Sequence, residues 1–308
     1  MAAPLLAILP VVALIGVGYA LRRGGFPGEG FWRPAARLVY FVFLPALLVR
    51  LVALARLDPT LWRAQAAAAL AVATIAAALW VLRKRTSPNG PGFTSVLQGS
   101  IRHNTYVGLA VAAAVFTPDE TAAFALVVAA IVPLVNAISV AGLTRFGAGG
   151  GEGAPPRPRM ARAIATNPLI LACVLGAVLN VGGLGLPAGL GEVLRMLGQP
   201  ALPVGLLVVG AGLRPAALLR PRRGVLVPTA VKLLVYPSLA LAYAWVLTVA
   251  PEHRAPLLLF ACLPTAASAY VLALELGGDE ELMAQVITAE TLLAAVTIPV
   301  ALAAGRVG

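Results

Sequence analysis

Residues 92–115 read GFTSVLQGSIRHNTYVGLAVAAAV, a stretch long enough to cross a membrane but with a polar knot at its centre. A helix needs about 20 predominantly apolar residues to span the hydrocarbon core. In this one Gln98, Gly99, Ser100, Arg102, His103, Asn104 and Thr105 crowd the midplane. Polar side chains and freed backbone groups are tolerated at that depth only where protein or water lines a cavity. A second stretch, 255–274, has a related defect. Pro264 removes a backbone donor and pushes Cys262 and Leu263 away from helical geometry, beside Thr265 and Ser268. Two broken helices crossing near the midplane are expected, their half-helix N-termini offering partial positive charge to an anion.

The remainder of the chain sets these stretches in a membrane. Of 308 residues 60% are apolar and only 11% charged, and the mean hydropathy is +0.92. A soluble domain carries about 25% charged residues. A soluble enzyme, a secreted disulfide scaffold, a disordered chain and a nucleic-acid binder are excluded on that ground. The net charge of +11 comes from short basic clusters between apolar runs, not from one face of a soluble fold. Nucleic acid is therefore no partner; the lipid bilayer is. Cys173 and Cys262 sit in apolar runs and read as small buried hydrophobes. Residues 1–21 have no basic leader and are followed by Arg22 and Arg23, the mark of a retained first span and not of a cleaved signal.

Seven windows are long and free of charge: 1–21, 64–82, 121–144, 163–191, 196–213, 233–251 and 255–274. Three more hold a charge: 35–55 with Arg37 and Arg50, 92–115 with Arg102, and 282–305 with Glu290. The expectation is an all-α integral membrane protein of ten spans. A Gly/Pro-rich cytoplasmic loop, 146–161, divides it into a first five-helix repeat, 1–145, and a second, 162–308. An odd number of spans per half turns the second half upside down, the plan of many secondary transporters. Weak echoes accompany it: Leu44-Pro45 with Leu202-Pro203, and Asn104-Thr105-Tyr106-Val107 with Ser268-Ala269-Tyr270-Val271, at offsets of about 158 and 164 residues.

The basic residues orient the chain. With the first loop inside, fourteen face inward: Arg22, Arg23, Arg33, Arg83, Lys84, Arg85, Arg145, Arg157, Arg159, Arg162, Arg214, Arg220, Arg222 and Arg223. Five face outward: Arg56, Arg63, Arg195, Arg254 and Arg306. Both termini are thus expected outside the cytoplasm, in the cell (inner) membrane.

The sequence resembles the auxin efflux carrier family, which includes the plant PIN-type carriers and many bacterial transporters. The likeness covers essentially the whole chain. It rests on Pro45; the run Gln98 to Leu109; Asn167-Pro168; Pro203 with Gly210-Ala211-Gly212-Leu213; Lys232 to Pro237; and Leu263 to Tyr270. It departs at Ala110, where many relatives have proline, and lacks the long hydrophilic central loop of large plant carriers. The resemblance implies ten spans, crossed fourth and ninth helices, and transport of small organic anions, with carboxylates such as malonate and malate ahead of auxin.

The expected substrate site is Arg102, Asn104, Thr105, Thr265 and Ser268, with Ser100, His103 and Pro264 shaping the break. A cation near the bilayer centre costs at least about 2.5–3.5 kcal/mol and needs compensation. For Arg102 this is either a substrate carboxylate or a permanent partner: Glu290, or the carbonyl ends of the broken ninth helix. His103 either relays a proton or is a buried histidine bonded to backbone. Glu290, with Thr288 and Thr291 beside it, reads as a coupling site or as the charge partner of Arg102. Lys232 is expected to snorkel to the headgroups. His253 falls in an outer loop. The function expected is a carrier working by alternating access, by export or potential-driven flux. The alternatives are a proton- or sodium-coupled uptake symporter for mono- or dicarboxylates and, more remotely, a channel or receptor. No His-Glu-x-x-His or Gly-x-Ser-x-Gly motif is present, and no enzymatic activity, cofactor or metal is expected. A small organic anion is the expected partner, with a homodimer left open as the assembly.

Overall fold

In the computed structural model the chain is built of helices. The structure describes residues 2–55, 58–87, 89–148, 166, 168–215 and 223–305, and among them there is no strand. In chain order the helices are α1 (Ala2–Arg23), α2 (Glu29–Leu54), α3 (Pro59–Val81), α4 (Gly90–Ile101), α5 (Thr105–Val115), α6 (Pro118–Phe146) and α7 (Pro168–Val181). They continue with α8 (Ala188–Gly198), α9 (Ala201–Gly212), α10 (Leu226–Val246), α11 (Pro251–Ala261), α12 (Ser268–Glu275) and α13 (Glu280–Gly305). Six stretches are long and apolar enough to cross a membrane: α2, α3, α6, Gly189–Gly212 across α8 and α9, α10, and Glu280–Ala303 in α13. Large apolar side chains also face outward, among them Val178, Val181, Leu234 and Trp245. In water such surface would drive association. In lipid it costs nothing. The chain is a multi-pass membrane protein.

Two helices contain π-helical turns, and proline explains both. Val39–Phe43 within α2 ends just before Leu44-Pro45, and Val231–Val235 within α10 just before Tyr236-Pro237. A proline ring clashes with the carbonyl four residues back and offers it no donor. Widening the preceding turn relieves the clash without ending the helix.

Of the expected sixth span, 163–191, the described residues are helical from Pro168 to Val181 and again from Ala188. Gly183 and Gly185, at φ +64° and +60°, turn the chain there, and a new helix begins at Ala188. Asn180 fixes the turn by donating from Nδ2 to the carbonyls of Val52, Ala53 and Ala55, capping the end of α2. Asn167, the central loop from 149 to 165, and Arg56, Arg220, Arg222 and Arg306 lie outside the described residues.

The helices pack in two groups. α7 and α8 lie on the second half of α2, while α1 lies on α9. That last contact is backbone-close, because a Cβ at Gly210 would collide with the Ile15 carbonyl and one at Gly18 with the Leu207 carbonyl. The other group joins α3, α4, α6, α10, α11 and α13. At its centre α4 is wrapped completely, with every residue from Gly92 to Ile101 buried.

Candidate functional site

The chain is broken twice, and the two breaks meet. Arg102 leaves α4 in extended conformation after its N–H closes the helix on Gln98 O at 2.9 Å. Asn104 opens α5, its Oδ1 accepting from Val107 N at 3.3 Å, the usual service of an asparagine N-cap. Between α11 and α12, residues 262–267 are non-helical around Pro264. Asn104 N donates to Pro264 O at 2.8 Å, and Thr265 Oγ1 donates to Gly99 O at 2.6 Å. Each break thus satisfies backbone groups that the other has freed.

Arg102 sits at this meeting point. Its guanidinium donates to Asn136 Oδ1 on α6 and to Ser268 Oγ on α12, both at 3.1 Å. Its Nε is buried without a partner, and among the described residues it makes no ion pair. The residue is only 9% exposed, whereas Ser268 is exposed. One side of the guanidinium therefore faces packed protein and the other approaches an opening.

The remaining expected residues divide. Thr265 and Asn104 are buried at the junction, and Asn104 Nδ2 has no partner. Thr105 starts α5 but lines an apolar crevice with Leu48, Leu109 and Cys173. Ser100 donates to Val96 O within α4, so it serves its own helix. His103 stacks on Phe260, ring centroids 4.1 Å apart and 24° between planes, with Nε2 unpartnered; no backbone bond to that nitrogen is present among the described residues.

Glu290 does not pair with Arg102. Its Oε2 accepts from Thr265 N at 2.8 Å, holding the second break, and its Oε1 is buried and unpartnered. The neighbouring Thr291 Oγ1 is also buried without a partner. The basic residue that bears electrostatically on Glu290 is Lys232, though no ion pair joins the two. That lysine corrects an expectation: it does not snorkel but is wholly buried in the π turn of α10, with Nζ 4.7 Å from the centre of the Tyr236 ring and no hydrogen bond. Its position just before the apolar run 233–251 reads as a span end. Pro237, whose clash places the lysine on a widened inner turn, was the signal available. Asn136 was also missed, although it is a polar residue in an otherwise apolar run, three positions after Pro133.

With that geometry in place, residues 158–302 match the family model described as "Membrane transport protein". That match takes in just under half of the chain, so the chain is similar to that family over its second half. The likeness supports a membrane transporter and agrees with the resemblance to the auxin efflux carriers. An "Uncharacterized transporter" of Methanothermobacter thermautotrophicus is 25% identical over 297 residues, 95% of each chain. The alignment with this relative is long enough to take in both breaks, while the family match contains the second break, Lys232 and Glu290. The family is one of transporters and not of enzymes.

Proposed function

We propose that the protein carries small organic anions, carboxylates first among them, across the cell membrane by alternating access. One observation carries this reading: a buried arginine stands where two helix breaks meet and, among the described residues, is hydrogen-bonded only to neutral groups. An uncompensated guanidinium in a low dielectric attracts a carboxylate strongly and repels a cation. Arg102 supplies the charge, Ser268 and Asn104 orient the ligand through hydroxyl and amide, and Thr265 keeps the breaks in register. The short helix α12 directs its N-terminus toward the same place. Thr105 acts in this scheme through the backbone of α5.

In the proposed architecture α1, α7 and the broken pairs α4–α5 and α11–α12 join the six long apolar stretches to give ten crossings. They form two inverted five-helix repeats, with both termini outside and the basic loops inside. A potential negative inside works on a moving charge at about 2.3 kcal/mol per 100 mV. Uncoupled flux of an anion is then outward. A second reading, proton-coupled movement, is favoured by the buried Lys232 and Glu290, each with an unpartnered atom beside the second break.

Purified protein in liposomes, offered a panel of carboxylates, tests the proposal. A carrier shows saturable flux and counterflow of labelled anion against unlabelled. Linear, non-saturating flux would indicate a channel. Flux of cations or neutral solutes alone would remove the anion reading.

A further inference from the structure

His253, expected in an outer loop, lies in the first turn of α11 and is 5% exposed. Its Nε2 is 3.2 Å from Asp58 Oδ2 but makes no hydrogen bond there. Glu252, the preceding residue, is exposed, and its carboxylate completes a set of three ligand atoms all within 4.8 Å of one another. Asp58 has an oxygen to spare. Its Oδ1 accepts from Thr60 N at 2.7 Å and caps the turn that opens α3, leaving Oδ2 for another partner.

We infer that Asp58, Glu252 and His253 form a binding site for a divalent transition-metal ion of the zinc type, clamping the start of α11 to the start of α3. Ligands on a tetrahedral ion at about 2.1 Å stand about 3.4 Å apart, close to the Asp58–His253 separation. One imidazole with two carboxylates suits Zn²⁺ or Co²⁺ better than Mg²⁺ or Ca²⁺, which take oxygen ligands. Three protein ligands leave a fourth position for water. The surroundings are firm. Arg63 donates to the carbonyl and hydroxyl of Thr248, and Arg254 to Val249 O. Among the described residues neither arginine pairs with the three ligands, so neither competes with the metal for them.

The site is tested on the full-length protein in detergent, stripped of metal and titrated with Zn²⁺, with Co²⁺ as a spectroscopic probe and Mg²⁺ as control. The expected result is one Zn²⁺ per chain, tetrahedral Co²⁺ absorption bands and a raised thermal midpoint. Affinity falls at least about tenfold in both Glu252→Gln and His253→Gln. Glu252 is exposed, so its variant folds and decides the matter even if the histidine variant does not. Zn²⁺ binding no stronger than Mg²⁺ binding would overturn the proposal. So would unchanged affinity in Glu252→Gln, or in a folded His253→Gln. None of these readouts depends on transport, so the site and the carrier reading fail separately.

Discussion

The two helix breaks meet a common problem, freed backbone groups deep in an apolar protein, by different means. The first is short and caps its own next helix: Arg102 ends α4 and Asn104 caps α5 with its own side chain, although its Gly99 carbonyl is served from across the junction by Thr265. The second runs over 262–267 and has no cap of its own, since Ala267 precedes α12 without a side-chain bond. It borrows instead. Glu290 on α13 accepts from Thr265 N, and Thr265 reaches back to Gly99 O. The first break is thus written into a few adjacent residues, the second into residues brought together by the fold. A self-capped break is rigid by itself, whereas a borrowed one changes whenever its lender moves.

Glu290→Ala breaks the comparison most severely. It strips the second break of its acceptor and leaves the Thr265 N–H buried without a partner, at about 1–3 kcal/mol. A large drop in thermal midpoint is expected, while Glu290→Gln, which keeps an acceptor oxygen for Thr265, loses less. Equal losses in the two variants would show that the carboxylate oxygen is not what holds the break.

Gly108→Ala probes the contact between the halves. A Cβ there would come within 2.5 Å of Phe124 Cζ and 2.7 Å of Leu263 Cδ1, a residue of the second break. Overpacking of this kind costs about 1–3 kcal/mol, read as a lower thermal midpoint. Trimming the obstacle with Phe124→Leu should recover part of it.

Asn104→Ala removes the local cap of the first break, at about 1 kcal/mol, together with the amide offered to the anion. Asn104→Asp restores stability but sets an anion beside Arg102, so its transport should fall while its thermal midpoint recovers. A parallel recovery of both would deny Asn104 any part in anion binding.

The smallest effect lies outside the breaks. The N–H of Thr60, and then His253, hold the Asp58 carboxyl below its ordinary range. A carboxyl depressed in the folded protein stabilises it at pH values above that range and ceases to as pH falls through the lowered value. In metal-free buffer the difference in thermal midpoint between wild type and Asp58→Asn should therefore be present near neutrality and vanish in acid.

The first break was legible because its signals are local. Arg102, His103 and Asn104 interrupt an apolar run, and an asparagine that caps the next helix needs no knowledge of the fold. Pro264 disclosed the second break for the same reason. What closes that break was not legible, since Glu290 is 25 positions beyond Thr265 and nothing in either neighbourhood names the other. Lys232 was misplaced for a related reason. Snorkelling is the usual fate of a lysine near a span end, and only the packing of α10 against α4 and α13 buries it. The likeness to a transport family over the second half of the chain agrees with the apolar composition and the broken helices. The substrate anion is written in no single residue.

The central claim is that Arg102 serves an anion and not the fold. Uptake of labelled carboxylate into liposomes, comparing wild type with Arg102→Gln, tests it most directly. Glutamine deletes the buried charge and leaves a shorter polar amide beside Asn136 and Ser268, so the variant should fold with a thermal midpoint near that of wild type. Loss of a charge-assisted bond to the substrate should lower flux at subsaturating anion about ten- to a hundredfold. Undiminished saturable flux through a well-folded Arg102→Gln protein would contradict the account and place the anion elsewhere.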